Sequence, residues 1–270
     1  MAEARVSLGL DSKELAYFYD SNSSFHVEGG KLLLNMMGVS PGWTVYDIGC
    51  GTGLLASDAA DLVGPKGRVV GLEPLRDRVD IAQSRAKENL SFELGDAQDL
   101  SRIPDDSVDG VYLNSVIHWV PDRMRAIKEA HRVLKPGGRL GIATASADHP
   151  QPPGIIRAQV LSRERYRCYS GPVKDRPNPT EVELRDLMAG AGFRKIDIIM
   201  HRSSVETRDE KALVQFCEAY SFGNYLGHIP KDLRSDVRDE IELEFSKWRT
   251  EGGTVRMDNM LRMIAVAVKV

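Results

Sequence analysis

The sequence has few cysteines, little net charge and no long hydrophobic run. Its three cysteines, Cys50, Cys168 and Cys217, are too few and too scattered for a disulfide framework or a zinc knuckle. A net charge of −3 gives none of the basic excess that binds nucleic acid or an anionic membrane. No apolar stretch approaches the roughly 20 residues that cross a bilayer, and residues 1–7 lack the apolar core of a secretory signal. We therefore expect a reduced, cytoplasmic protein with no nucleic-acid, membrane or metal partner.

The length and composition indicate one globular domain with inserted segments. Of the 270 residues, 42% are hydrophobic, which is enough to bury a core without disulfides or metals. Strand and helix patterns alternate along much of the chain, as is typical of a mainly parallel sheet covered by helices. We expect a single α/β domain over 1–270, with cap or lid segments at 1–40, 145–179 and 203–257.

The most informative stretch is a strand that leads directly into a glycine turn and then a helix. Residues 44–48 are mostly β-branched, aromatic or apolar, and glycines follow at Gly49, Gly51 and Gly53. Glycine adopts backbone angles closed to other residues, and the N-terminus of the next helix offers backbone N–H groups to a polar ligand. Several cofactors bind such turns. Asp47 narrows the choice, because its carboxylate would repel a pyrophosphate but attract the ammonium of an amino-acid-like ligand.

The heptapeptide Asp-Ile-Gly-Cys-Gly-Thr-Gly at 47–53 resembles motif I of the class I S-adenosylmethionine-dependent methyltransferases. Later segments also resemble that family, in its order, well over 41–144 and more loosely over 180–202 and 260–270. The chain looks like relatives of the ubiquinone/menaquinone C-methyltransferases and the trans-aconitate methyltransferases. This resemblance implies a doubly wound, Rossmann-like, seven-stranded α/β sheet with an antiparallel last strand, plus helical cap insertions.

The resemblance implies that S-adenosylmethionine is the cofactor and that successive strand ends bind its parts. Glu73 ends a buried strand about twenty residues beyond the glycine turn, where an acid can accept the ribose hydroxyls; the alternative is a surface acid that starts the next helix. Asp96 is expected to accept the adenine amine, while Asp99 more naturally forms a turn before Leu100. The cofactor-binding candidates are Asp47, Gly49, Gly51, Gly53, Glu73, Pro74, Asp96, Ala97 and Asn114.

His118 and Trp119 follow the fourth predicted strand, and ligands of open α/β sheets bind beyond such strand ends. In the family, residues at this level approach the methyl group and the acceptor. Because the pKa of histidine lies near working pH, His118 is the candidate catalytic base; alternatively it only lines the pocket. Other candidate wall residues of the substrate pocket, each of which can instead be ordinary core, are Tyr17, Tyr19, His26, Phe222, Tyr225 and His228.

The predicted cap segments contain further helices. Residues 155–169 predict one helix with four arginines, which can recognise an acidic acceptor or simply face solvent. Within 203–257 we expect two helices. The second repeats apolar residues from Leu233 to Trp248, as a cap or a dimer interface would. We expect a monomer or a homodimer.

The reaction implied by the resemblance is in-line methyl transfer to an O, N or C nucleophile of a small molecule, giving S-adenosylhomocysteine. The enzyme mainly aligns the reactants and excludes water, so the motifs identify the cofactor better than the acceptor. Three alternatives remain open from the sequence. They are an arsenite methyltransferase that uses the thiols of Cys168 and Cys217, a nicotinamide-dependent oxidoreductase, and a non-catalytic methyltransferase-like partner subunit.

Overall fold

The computed structural model of the protein describes residues 8–170 and 178–270. Parts of two predicted cap segments, at 1–7 and 171–177, lie outside the described residues. The chain is divided into two compact units. Among the described residues, the first unit contains 8–25, 149–170 and 202–261, and the second contains 26–148, 178–201 and 262–270.

A mixed sheet of seven strands is formed by the described chain. The strands are β1 (Thr44–Ile48), β2 (Arg68–Glu73), β3 (Leu90–Leu94), β4 (Val108–Asn114), β5 (Leu134–Thr144), β6 (Arg194–Thr207) and β7 (Val255–Val268). Their order is β3-β2-β1-β4-β5-β7-β6. Strands β1 to β5 pair in parallel, and β7 runs antiparallel to β5. The predicted doubly wound α/β sheet with an antiparallel last strand is therefore confirmed.

Helices connect the strands and build the first unit. They are α1 (Lys13–Asn22), α2 (Ser24–Met36), α3 (Leu54–Val63), α4 (Arg76–Ala82), α5 (Arg123–Val133), α6 (Pro152–Leu161), α7 (Glu181–Gly190), α8 (Glu210–Tyr220) and α9 (Arg234–Phe245). Side-chain caps set several of their starts. Thr180 and Glu183 form the capping box of α7, and Asp209 accepts a bond from the backbone of Ala212 at the start of α8. Among the helices described, none has both the length and the apolar character needed to span a membrane.

The second unit buries apolar side chains on both faces of its sheet. Along β1, Val45 joins one buried layer, which includes Leu33 of α2 and Ala59 of α3. Ile48 joins the opposite layer, which includes Ile127 of α5. Because successive side chains of a strand point to opposite faces, the interior of the sheet is filled on both sides. The ends of the strands are left as the place where this unit can hold a ligand.

One predicted strand boundary in the second unit is wrong. The proline and glycines of Lys-Pro-Gly-Gly at 135–138 predict a stop before a strand that begins at Arg139, but β5 already begins at Leu134. Gly137 takes a left-handed φ of +82°, which lets the strand bulge there. The Gly137 N–H donates to the Lys269 carbonyl, and the Lys269 N–H donates to the Gly138 carbonyl. These bonds keep the irregular segment within the sheet.

The prediction of one continuous helix over 155–169 is also wrong. Helix α6 ends at Leu161, and a separate 3-10 helix covers Glu164–Tyr169. Between them Arg163 is extended, with φ −60° and ψ 146°. Both the hydroxyl and the backbone N–H of Ser162 donate to the Gln159 carbonyl, which closes the last turn of α6.

The first unit has a core of its own. Helix α1 packs on α8, and α9 packs on both α6 and α8. Val237, Ile241 and Phe245 of α9 are fully buried in this core, so that apolar side of α9 is already covered within the unit. The sequence pattern predicts strands over 193–201 and 260–270. Strands β6 and β7 are longer than these, and their extra residues supply apolar side chains such as Val205 and Met257 to the same core.

Candidate functional site

The turn after β1 is pinned to the neighbouring strand. Gly49, Gly51 and Gly53 have left-handed φ values of +73°, +55° and +84°. The N–H groups of Gly49 and Cys50 both donate to the Leu72 carbonyl of β2, at 2.7 and 3.0 Å. Helix α3 starts directly beyond, and no side chain caps its N-terminus at Gly53. The turn is therefore held by backbone bonds, and the helix N-terminus keeps its N–H groups uncapped by a side chain.

Two of these glycines are also required by packing, which the sequence did not show. A Cβ atom on Gly49 would lie 2.4 Å from Cγ2 of Val116, and one on Gly53 would lie 2.6 Å from the ring of Phe92. Both distances are far below ordinary van der Waals contact. Gly49 and Gly53 thus let the turn approach neighbouring side chains closely, in addition to providing their backbone angles.

Glu73 is buried at the end of β2 and is bonded to the glycine turn. The Gly51 N–H donates to Oε2 of Glu73 at 2.9 Å, and the Leu75 N–H donates to Oε1 at 3.1 Å. Only 4% of Glu73 is exposed, so it is not a surface acid. Pro74 is exposed and precedes Leu75, the N-cap residue of α4. Each carboxylate oxygen can accept more than one hydrogen bond, so this arrangement is compatible with hydroxyl ligands.

Asp47 is buried beside Tyr112, its register partner on β4. Burial raises the pKa of Asp47 to about 8; the Tyr112 hydroxyl opposes the rise, and Glu73 adds to it. Although the Tyr112 hydroxyl lies near enough to act on that pKa, it makes no hydrogen bond of normal geometry within the described chain. Asp47 is thus mainly protonated at neutral pH, and a cation beside it would favour the ionised form. Sequence reasoning missed Tyr112, whose signal is a phenol between the apolar residues Val111 and Leu113.

A buried arginine organises the end of β4. Nη2 of Arg262 donates to Oδ1 of Asn114 and to the hydroxyl of Ser115, both at 2.9 Å. The side-chain amide of Asn114 in turn donates to the His26 carbonyl at 3.1 Å. Ser115 has a left-handed φ of +63°, an uncommon conformation for serine that these contacts help to hold. Arg262 was not predicted, although a charge directly before the apolar run 263–268 of the final strand was the available signal.

His118 lies beyond the same strand in a short 3-10 helix, Ile117–Trp119. Its Nδ1 is hydrogen-bonded to the hydroxyl of Thr144 at 2.9 Å, and its ring centroid is 5.1 Å from that of Trp119. Burial, and then the charges of Arg262 and Arg123, lower the pKa of His118 to about 3. The ring is therefore neutral at working pH and is a weak base. This environment favours the pocket-lining alternative over proton transfer.

Asp96 is not buried beside Asp47 and Glu73. It is exposed, and its Oδ1 accepts a 2.7 Å bond from the Gln98 N–H. With Gly95 it lines a cavity of about 290 Å³ whose lining includes neither Asp47 nor Glu73. Ala97 packs against an apolar layer of the sheet. Asp99 accepts from the N–H of Ser101, so its predicted turn role is confirmed.

The predicted pocket residues are divided between the two units. Trp119 and the buried His26 belong to the second unit, and the remainder belong to the first. Tyr17 is 53% exposed on α1, which also carries Tyr19, whereas Tyr225 is 4% exposed. Phe222 is half-buried with a left-handed φ of +53°, and His228 is half-buried. A shared role of these residues in an acceptor pocket stays a prediction.

Comparison with known proteins agrees with the fold. Residues 46–142 match the family described as a methyltransferase domain. The chain is 35% identical over 193 residues to the demethylmenaquinone methyltransferase of Listeria welshimeri, covering 65% of this chain and 80% of that relative. It is 28% identical over 206 residues to the arsenite methyltransferase of Halobacterium salinarum, covering 75% of this chain. The match spans about half of that archaeal protein, 49% of its length.

A solved structure shows the same fold. The YcgJ protein from Bacillus subtilis superposes with a TM-score of 0.58 at 21% identity, covering 90% of this chain and 98% of the other. Together with the Listeria relative and the matched domain, the mixed sheet identifies the family and sets aside the nicotinamide alternative. The chain belongs to the class I S-adenosylmethionine-dependent methyltransferases, and it is an enzyme whose cofactor is S-adenosylmethionine.

Proposed function

We propose that this enzyme methylates a small-molecule acceptor and that the ends of β1, β2 and β4 hold its cofactor. One observation carries the proposal. At adjacent strand ends, buried Asp47 lies beside a glycine turn that is itself hydrogen-bonded to buried Glu73. Two carboxyl groups this close to uncapped backbone N–H groups fit a ligand with both a cation and hydroxyls, as S-adenosylmethionine has.

The residues present fit the parts of that cofactor. The raised pKa of Asp47 marks a carboxyl group that burial keeps protonated, and the ammonium of the methionine part would stabilise its ionised form. Glu73 would accept the ribose hydroxyls. The buried hydroxyl of Thr52, inside the glycine turn, has no hydrogen-bond partner among the described residues, which supports a polar ligand nearby. Asn114 and Ser115 would face the methionine part.

The proposed adenine site has fewer structural features in its favour than the proposed sites for the ammonium and the ribose. Asp96 and Ala97 retain their proposed roles toward the base from the resemblance, but Asp96 is exposed and bonded within its own loop. Pro74 is exposed at the end of β2, where it can contact the base. We propose that these residues contribute less to cofactor affinity than the buried carboxyl groups of Asp47 and Glu73.

When bound, S-adenosylmethionine supplies a sulfonium-activated methyl group, so the chemistry needs little help from side chains. The protein orients the two reactants and excludes water. His118, neutral and fixed by Thr144, would line the acceptor side and exchange a hydrogen bond with the nucleophile. We therefore do not assign the role of a strong general base to His118. An acceptor that must lose a proton would have to ionise readily itself.

Both named relatives support a small acceptor, since one is a demethylmenaquinone methyltransferase and the other an arsenite methyltransferase. The net charge of −3 also argues against a nucleic-acid acceptor. We favour an organic O, N or C nucleophile and a monomer or homodimer.

The arsenite alternative is favoured by the archaeal relative but opposed by the state of one thiol. Arsenic chemistry needs thiolate ligands. Cys217 is fully buried, and burial raises its pKa well above the usual range of a thiol, so it stays protonated. Cys168 is exposed. A thiolate pair made of Cys168 and Cys217 is therefore disfavoured.

A transfer assay with tritium-labelled S-adenosylmethionine tests the proposal. The acceptors are a reduced demethylmenaquinone analogue, a panel of phenols and amines, and arsenite with glutathione. We expect label in an organic product, at an unchanged rate in Cys168→Ser and Cys217→Ser. Label in arsenite alone, lost in both cysteine variants, would establish the alternative. Cofactor binding without transfer to any acceptor would instead support the non-catalytic partner subunit.

A further inference from the structure

Three arginines of the segment that follows β5 differ in whether an acidic side chain pairs with them. Arg163 forms ion pairs with Glu240 and Glu244, and Arg165 pairs with Asp236. Arg157, on α6, has no carboxylate within ion-pair distance in the part of the chain that the structure describes. All these residues belong to the first unit. The unpaired cation is the one that a ligand can neutralise.

Arg157 is held against a fixed aromatic side chain. Its Nη1 donates to the Tyr225 carbonyl at 3.2 Å, and its guanidinium carbon lies 5.7 Å from the centroid of the Tyr225 ring. The Tyr225 hydroxyl donates in turn to the Pro153 carbonyl at 2.8 Å. Arg157 is half-buried, and this burial lowers its pKa without discharging it. Within residues 8–170 and 178–270 the bond to the Tyr225 carbonyl is the one hydrogen bond that Arg157 donates, and a partly desolvated guanidinium with N–H donors left over is a site for an anion.

His228 lies three residues beyond Tyr225, the residue that Arg157 contacts, in the segment that follows α8. Both of its ring nitrogens are buried and lack a hydrogen-bond partner of normal geometry among residues 8–170 and 178–270. Burial, and then the charge of Arg157, lower the pKa of His228 to about 4, although the backbone of Asn224 and Tyr169 lies near enough to oppose this. The ring is therefore neutral, with one N–H donor and one acceptor nitrogen. Buried polar atoms without partners in a folded protein usually have a ligand or water.

We propose that Arg157 and His228 form a binding site for a small organic monoanion, a carboxylate that carries a nearby hydroxyl. Guanidinium matches the planar carboxylate and can donate two parallel hydrogen bonds to it. A single cation balances one negative charge, which favours a carboxylate over a phosphate dianion. The neutral imidazole exchanges a hydrogen bond with the hydroxyl. The site lies wholly within the first unit and does not depend on the proposed methyl transfer.

Ligand-observed NMR on the full chain tests this site. The probes are benzoate, 2-hydroxybenzoate and hexanoate, each compared with its neutral amide. We expect at least one carboxylate to bind about tenfold more tightly than its amide, and Arg157→Gln to remove that preference. The matched control is Arg163→Gln, which removes an arginine already paired with acids and should retain the preference. His228→Phe should remove any gain of 2-hydroxybenzoate over benzoate.

Two results would overturn the proposal. One is that no carboxylate binds better than its amide. The other is that Arg157→Gln retains the preference for carboxylates. Calorimetric titration of each variant with S-adenosylmethionine serves as the check on folding, because the cofactor candidates of the second unit are unchanged. Normal cofactor binding with no carboxylate preference in the wild type would refute the anion site and leave the proposed function standing.

Discussion

The backbone N–H of Gly51 donates a 2.9 Å hydrogen bond to Oε2 of Glu73. This bond links the turn after β1 to the end of β2, so the two elements expected to hold different parts of the cofactor are fixed to one another before it binds. Preorganisation of this kind reduces the ordering cost of binding. It also means that Glu73 has a structural role besides its proposed contact with ribose.

Replacing Glu73 should therefore affect both affinity and stability. We expect Glu73→Ala to weaken S-adenosylmethionine binding by at least about tenfold, because charged hydrogen bonds to the sugar are lost. It should also lower the free energy of unfolding by about 1–3 kcal/mol, since the Gly51 and Leu75 N–H groups lose their acceptor. Calorimetric titration and urea unfolding measure the two effects. Asp80→Ala, at an exposed acid of α4, is the control and should change neither.

Asp47 makes the stability of the ligand-free protein depend on pH. Its carboxyl group titrates near its usual pKa of 3.8 when unfolded but at about 8 in the fold. The unfolded state thus releases the proton first, and this group's contribution to stability is lost as pH rises from about 4 to about 8. We expect the stability of Asp47→Asn relative to the wild type to increase by at least about 1 kcal/mol between pH 4.5 and pH 8.

The same substitution should weaken cofactor binding, because the ammonium loses its carboxylate. Thermal unfolding at the two pH values, with Asp80→Asn as the control, measures the stability difference, and titration calorimetry measures the affinity. A wild type and an Asp47→Asn variant with parallel pH profiles would show that Asp47 ionises normally.

Arg262 is expected to act on the site through other residues. Removing its charge in Arg262→Met should raise the pKa values of His118 and His26, which that charge lowers in the fold. Loss of its bonds to Asn114 and Ser115 should also weaken cofactor binding by about tenfold. Histidine titration followed by NMR provides the test. Arg256→Met, at an exposed arginine of the same strand β7, is the matched control. Unmoved histidine pKa values would contradict this role of Arg262.

Alanine substitutions at two glycines allow the stability cost of backbone strain to be measured separately from the cost of a packing clash. Gly49 and Gly42 both have left-handed φ values, +73° and +85°, but only Gly49 has a neighbour that a Cβ would strike. We expect Gly42→Ala to cost about 1 kcal/mol and Gly49→Ala about 3 kcal/mol or more. Chemical unfolding measures both. The double variant Gly49→Ala/Val116→Ala should recover part of the loss, and equal costs for the two single variants would refute the packing explanation.

The sheet and the glycine turn could be predicted from the sequence because their signals are local. The period of apolar residues changes between strand and helix, and glycines mark the turn. Contacts distant in the sequence could not be predicted in this way. Arg262 reaches Asn114 across 148 residues, and Tyr112 meets Asp47 only through the register of β1 and β4. Nor could the sequence reveal that burial and arginine charges lower the pKa of His118. With this lowered pKa, His118 is a weaker base than the sequence predicts.

We propose that Asp47 and Glu73 together hold S-adenosylmethionine, and isothermal titration of the cofactor is the decisive experiment. We expect the wild type and Asp80→Ala to bind with one-to-one stoichiometry and the same affinity, and neither to bind oxidised nicotinamide adenine dinucleotide. The double variant Asp47→Ala/Glu73→Ala, confirmed as folded by circular dichroism, should show no measurable cofactor binding. A folded double variant that binds S-adenosylmethionine as tightly as the wild type would contradict the account.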